Sequence, residues 1–183
     1  DKMQEKNIGR EEVVGVGIGV PGPVDENGEL PCAVNLHWGR KNIEKELGEL
    51  TGFPVKAGND ANVAALGEMW KGGGQGAKNM IMVTLGTGVG GGIIINEKIL
   101  TGSHGAGGEL GHACIKPEET VACNCGNKGC LEQYASATGI ARLARTALEH
   151  SDKDSVLRSK EHVTAKDVFD AYKEQDVLAA EII

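Results

Sequence analysis

The sequence predicts an α/β fold, and three observations carry that expectation. Two short runs rich in aliphatic and β-branched residues, at 13–20 and 80–85, have the composition of buried strands, and 55–58 reads as a further short strand. Helical patterns over 42–50 and 61–70 lie between them. Glycine, proline or Asn-Asp closes each run, as expected where a strand gives way to a loop or a helix.

The elements follow in order. Residues 13–20 form a strand that ends at Pro21-Gly22-Pro23, and Asp25-Glu26-Asn27-Gly28 is a turn. Asn42 caps a helix whose apolar face is Ile43, Leu47 and Leu50, and Gly52 stops it. Residues 55–58 are a short strand, after which Asn59-Asp60-Ala61-Asn62 opens an alanine-rich helix through Trp70. The glycine-rich stretch 71–78 reads as a linker or hinge. Residues 80–85 are a strand, 86–92 a loop and 93–95 a returning strand, and Asn96-Glu97 turns a hairpin into 98–100. Ser136 begins a helix with Ile140, Leu143, Ala144, Ala147 and Leu148 on one face. Thr164-Ala165-Lys166-Asp167 resembles a capping box for the last helix. The chain opens on a short polar stretch and stops inside a helical pattern. Both ends therefore read as cut, with Ile182 and Ile183 expected to be exposed.

Bulk properties bound the function. The 183 residues make one large domain or pieces of two. Apolar residues are 40% and charged residues 25%, both globular values, but aromatics are only 3%, so aliphatics and alanine must fill the core. A net charge of −7 argues against nonspecific nucleic-acid binding, which needs a basic face. No run of 18 apolar residues occurs, so no membrane span is expected. The 28 glycines are clustered at 15–22, 72–76, 86–92 and 102–111, which implies tight turns or backbone held close to a ligand.

The segment 108–132 carries the strongest chemical signal. His112, Cys123, Cys125 and Cys130 are four soft-metal ligands, and one His with three Cys is a standard zinc set. Gly126 and Gly129 sit where a metal-wrapping turn needs positive φ. Glu109 and Glu132 stand just outside, positioned by a metal they need not bind. The alternatives are buried cysteines packed as small hydrophobes, or a disulfide. The residues around Cys123 are polar rather than core-like, and five cysteines with no secretory segment favour reduced thiols in a cytoplasmic enzyme.

Two glycine patterns, Gly17/Gly19/Gly22 and Gly86/Gly88/Gly91, match the dinucleotide fingerprint in spacing, but neither runs into a helix, which that fold requires. The second lies between strands. A hairpin there can aim backbone N–H groups at phosphate, with the Thr87 hydroxyl as a further donor; a plain glycine-rich hairpin is the alternative. Asn59 and Asp60, between a strand and a helix, read as a cap when taken alone. Combined with a phosphate hairpin and metal-held carboxylates, they suggest a polyol acceptor facing a phosphate donor.

Taken in order, these motifs resemble bacterial glucokinases of the ROK family (repressors, open reading frames, kinases). The matching stretches are Gly19-Val20-Pro21-Gly22-Pro23-Val24-Asp25, Asn35-Leu36-His37-Trp38, Asn59-Asp60-Ala61-Asn62, the glycine segment 85–92, and 108–112 with the Cys123–Glu132 segment. The resemblance implies an α/β, actin-like (ribonuclease-H-like) two-lobed sugar kinase fold with sugar and ATP in its cleft. It implies that 1–75 is the end of the N-terminal lobe, that 76–183 is the start of the C-terminal lobe, and that the fold is incomplete at both ends. Asp60 would be the general base on the sugar 6-hydroxyl. Asn59, Glu109, His112 and Glu132 would hold the sugar, with Asn35 assisting, and His112 would serve both zinc and sugar. Gly86, Thr87, Gly88, Gly90 and Gly91 would contact ATP, which acts with Mg²⁺. The family's Asp-x-Gly-Gly-Thr phosphate loop is missing from these residues, so the 183-residue piece is expected to have little activity by itself. The expected reaction is ATP-dependent phosphorylation of a hexose, with glucose as the leading substrate. A kinase for another hexose such as N-acetylmannosamine, or a sugar-sensing repressor, is the alternative. The full-length protein is expected to be a cytoplasmic homodimer or higher homo-oligomer.

Overall fold

Glycine alternating with apolar residues makes a thin strand, β1 (Val16–Val20), that a neighbouring backbone can approach closely. In the computed structural model, which describes residues 2–33, 36–103 and 105–183, β1 pairs in parallel with β4 (Val55–Asn59), in a register running from Val16↔Val55 to Val20↔Asn59. The strand is shorter than the expected 13–20. Pairing begins only at Val16, whose N–H donates to the Pro54 carbonyl, and this leaves Val14 93% exposed.

Before β1 lies a four-residue helix, α1 (Lys2–Glu5). After it, the short strands β2 (Glu29–Leu30) and β3 (Lys41–Asn42) pair antiparallel. The helix α2 (Ile43–Thr51) starts as expected. The Asn42 side chain accepts from the Lys45 N–H, and Gly52 ends the helix in the left-handed region at φ 70°. Its expected apolar face is only partly used: Ile43 is buried but Leu50 is 83% exposed. α3 (Asp60–Lys71) follows β4 directly. The glycine-rich stretch after it is a hydrogen-bonded turn rather than a loose spacer. Gly74 N–H donates to the Glu68 carbonyl, Gly73 N–H to the Glu68 carboxylate and Ala77 N–H to the Gly74 carbonyl.

β5 (Met80–Leu85), β6 (Val89–Ile95) and β7 (Lys98–Ile99) form a three-stranded sheet in that order. β6 starts at Val89, so the expected loop 86–92 shrinks to a tight turn at 86–88. Val89 and Gly91 are buried, and burial inside a sheet requires their backbone groups to be paired. Beyond the cysteine segment come α4 (Glu132–Ala135), α5 (Ala137–His150) capped by Ser136, and α6 (Ala165–Lys173) with the expected Thr164–Asp167 capping box. α6 is not the last helix. The chain breaks at 174–176 and Asp176 caps a further one, α7 (Val177–Ile182).

Two compact units result. One comprises Asp1–Met82 and Gly92–Gly108, the other Val83–Gly91 and Glu109–Ile183. The first is centred on Val20, Val24, Leu30, Ala33 and Ile43. The second is centred on Ile140, Ala144, Leu157, Val168 and Ala179, with Ile182 packed against them and Ile183 49% exposed. Ile182 is thus more sheltered than expected. Both tryptophans, Trp38 and Trp70, belong to the first unit, and both tyrosines, Tyr134 and Tyr172, to the second.

Candidate active site and metal cluster

In the first unit the chain leaves the carboxyl end of β4 at Asn59 and enters α3 at Asp60. This end of a parallel pair is where α/β folds gather ligands. Both ends of the Asn59 amide are engaged: Oδ1 accepts from the Asn62 N–H (3.1 Å) and Nδ2 donates to the Gly22 carbonyl (3.2 Å). Asn59 therefore caps α3 and pins the loop after β1. Asp60 is exposed, and its Oδ1 accepts from the Ala61 N–H at 2.9 Å. Gly19 allows this approach, since a Cβ there would lie 3.3 Å from the Asp60 Cα. Asn62 is buried with its Oδ1 unpartnered among the described residues, and it lines with Asn59 a cavity of about 540 Å³ whose lining does not include Asp60. Asn35 lies outside the described residues.

In the second unit the structure brings together all four expected metal ligands. One donor atom from each of His112, Cys123, Cys125 and Cys130 lies within 4.8 Å of every other. The Cys125 and Cys130 sulfurs are 3.7 Å apart, and Cys123 Sγ is 3.8 Å from His112 Nδ1. Tetrahedral zinc with Zn–S of about 2.3 Å and Zn–N of about 2.0–2.1 Å requires edges of about 3.6–3.8 Å. The donor set therefore fits such an ion in its chemistry; the two edges above match it in size, and the remaining pairs lie within 4.8 Å. All five cysteines are free thiols, so no disulfide competes for them. Burial pushes the Cys130 thiol up to about 12, with Cys125 and Cys123 adding to the shift. Thiols packed this closely ionise together only when a cation offsets their charge.

The local sequence explains the cluster. Gly126 (φ 90°) and Gly129 (φ 69°) take the left-handed conformations expected of them, and the Cys123 N–H closes the knuckle onto the Asn127 carbonyl at 2.7 Å. Short backbone pairings tie Cys114 to Cys130 and Ala122 to Lys128. His112 ends a 3₁₀ turn, Leu110–His112, where Gly111 lies against β6; a Cβ at Gly111 would come within 2.2 Å of the Val89 carbonyl. With Nδ1 toward the thiols, His112 Nε2 is left facing Glu109 Oε2 at 3.8 Å. Glu132 Oε1 lies 3.9 Å from Cys123 Sγ, and its Oε2 accepts from the Val89 N–H at 2.9 Å. Gly86, Thr87 and Gly88 form the turn between β5 and β6, whereas Gly90 and Gly91 lie inside β6.

Several supporting residues left no sequence signal. Gln133 is buried. Its Oε1 accepts from the Cys130 N–H (3.1 Å) and its Nε2 donates to the Val121 carbonyl (2.9 Å), so it bridges the two sides of the knuckle. Glu119 accepts from the Tyr134 hydroxyl at 2.5 Å and lies 3.5 Å from Arg142. The hydroxyl, the Val121 N–H and the guanidinium together hold its carboxyl at about 2. Only spatial proximity unites these residues. Thr138, whose hydroxyl donates to the Thr87 carbonyl, had at least the weak signal of a Ser-Ala-Thr helix start.

The sequence profile of the ROK family matches residues 2–183. The chain belongs to the ROK family. It is 48% identical over 178 residues to the glucokinase of Halalkalibacterium halodurans, covering 95% of this chain and 54% of that enzyme. A ROK family glucokinase from Streptomyces griseus, solved in complex with glucose and AMPPNP, superposes with a TM-score of 0.75 at 35% identity, over 93% of this chain and 56% of that one. A ROK family transcriptional regulator, a homologue of the E. coli MLC protein, superposes with a TM-score of 0.82 at 30% identity, over 99% and 46%. The ROK chain thus has the α/β, actin-like (ribonuclease-H-like) fold of the sugar kinases, and it spans about half the length of the curated relatives it matches. Among the described residues no helix is long and apolar enough to cross a membrane.

Proposed function

We propose that the protein to which these residues belong transfers the γ-phosphoryl group of Mg²⁺–ATP to a hexose, with glucose as the preferred acceptor and glucose 6-phosphate as the product. The observation that carries this reading is Asp60, an exposed carboxylate at the carboxyl end of β4, in a chain 48% identical to a glucokinase. Phosphoryl transfer asks the protein for positioning and for a group that takes the hydroxyl proton. Asp60 takes that proton as the oxygen attacks. Asn59, Glu109, His112 and Glu132 orient the sugar hydroxyls, and the turn 86–88 with the start of β6 directs backbone N–H groups at the phosphates. His112, Cys123, Cys125 and Cys130 would hold a structural zinc ion, which would supply cross-linking of the knuckle and charge compensation for its thiolates. Ligation of that ion would fix the His112 ring and leave its other nitrogen for the sugar. A cytoplasmic location and a homo-oligomeric full-length protein accompany the reading.

The test is a coupled assay of the full-length protein with Mg²⁺–ATP against glucose, mannose, N-acetylmannosamine and xylose. The expected result is the highest kcat/KM with glucose. The TM-score of 0.82 to a transcriptional regulator favours a second reading, in which the same residues bind sugar without turning it over. Saturable sugar binding with no phosphorylation of any sugar in the panel would select that reading and remove the kinase.

A further inference from the structure

We propose that Glu132 is a positioning residue that ties the metal cluster to the glycine turn, so that metal occupancy sets the order of residues 86–91. The inference rests on the metal reading above and adds a consequence of it. Three hydrogen bonds attach the turn to the segment 132–138: Ala137 N–H to the Gly86 carbonyl (2.9 Å), Thr138 hydroxyl to the Thr87 carbonyl (2.7 Å) and Val89 N–H to Glu132 Oε2 (2.9 Å). The first two come from the start of α5. The third comes from a residue two positions after the ligand Cys130, and its other oxygen lies 3.9 Å from the ligand Cys123.

Gly88 shows how closely the carboxylate approaches. A Cβ there would lie 2.3 Å from Glu132 Oε2, so the carboxylate occupies the space a side chain would need. Glu132 is also held from behind. The Leu131 N–H donates to the Ala113 carbonyl and the Cys130 N–H to Gln133, so the backbone carrying Glu132 is part of the knuckle. Removing the ion frees Cys123 and Cys130 from one another, and the position of Glu132 loosens with them. The Val89 N–H, buried at the first residue of β6, then loses its fixed acceptor. The turn that would face the nucleotide is thereby coupled to a metal whose four ligands all lie outside it.

The experiment is amide hydrogen exchange on the full-length protein, zinc-loaded and then stripped with a chelator, for wild type, Glu132→Ala and Glu132→Gln. In wild type, stripping should raise exchange across 86–91 about tenfold, the factor expected for one lost hydrogen bond, while the α5 core around Ile140 and Ala144 stays protected. Glu132→Ala should retain zinc but exchange fast at 86–91 in both states. Glu132→Gln keeps a carbonyl acceptor and should follow wild type. Zinc binding with no change at 86–91 on stripping, or a Glu132→Ala variant that responds to zinc as wild type does, overturns this inference and leaves the metal reading standing. Failure to bind zinc in any preparation overturns both.

Discussion

At the scale of the residue, Asp60 and Asn59 are adjacent but differently employed. Asn59 uses both ends of its amide to cap α3 and pin the Gly22 carbonyl, whereas the Asp60 carboxylate stays exposed. A change at Asn59 would therefore mix structural and binding effects, while a change at Asp60 tests chemistry. Asp60→Asn in the full-length protein is expected to lower kcat by about 10²–10⁴, the usual contribution of a general base, with a much smaller change in sugar affinity. Steady-state kinetics and a binding titration separate the two; near-normal kcat would reduce Asp60 to a helix-end residue. The capping role of Asn59 was legible in the sequence because a cap is local, set by residues three apart. The tie between Glu132 and Val89 was not, because it joins residues 43 apart through a backbone N–H, a group that every position except proline has.

At the scale of the element, the cysteine knuckle was the most legible part of the chain. Its candidate ligands are written in side-chain identity, and its two left-handed glycines follow from the turn they must make. The start of β6 was hidden for the opposite reason. Val-Gly-Gly-Gly has almost no side chain to show a period, so strand and loop look alike until a partner strand is in place. The knuckle also makes the clearest demands. Cys125→Ser should reduce bound zinc from about one ion per chain toward zero and raise the sugar KM through Glu132 and His112. Elemental analysis checks the first and initial rates the second; full zinc retention would show that Cys125 is not a ligand. Glu119 offers a pH test. Its carboxyl, ordinarily at 4.5, is held at about 2 in the fold, so its contribution is complete above about pH 4.5 and is lost as pH falls toward about 2. Glu119→Gln should therefore melt below wild type near neutrality, with the gap closing through that window. Melting curves compared in the same metal state would refute the assignment if the gap were independent of pH.

At the scale of the whole molecule, the chain passes between its two units at 82/83, 91/92 and 108/109. Two of these points fall inside the glycine clusters 86–92 and 102–111, but 82/83 lies within the apolar run of β5, and long-range packing rather than local pattern sets where the chain crosses. The α/β class itself was legible because strand and helix periods alternate over the first half. The scarcity of aromatics, which forces aliphatics and alanine into both cores, has a further use. Each unit carries its own chromophore: indole emission arises in the first, and the phenol rings belong to the second. Tyr134 donates its hydroxyl to Glu119, a residue of the knuckle segment, and proton-accepting carboxylates quench phenol emission. Stripping the metal should then brighten tyrosine fluorescence while leaving the tryptophan spectrum, excited at the red edge, unmoved. A tryptophan shift of equal size would mean that metal loss reaches both units. Within these 183 residues, two intrinsic labels thus allow the melting of each unit to be watched in its own colour.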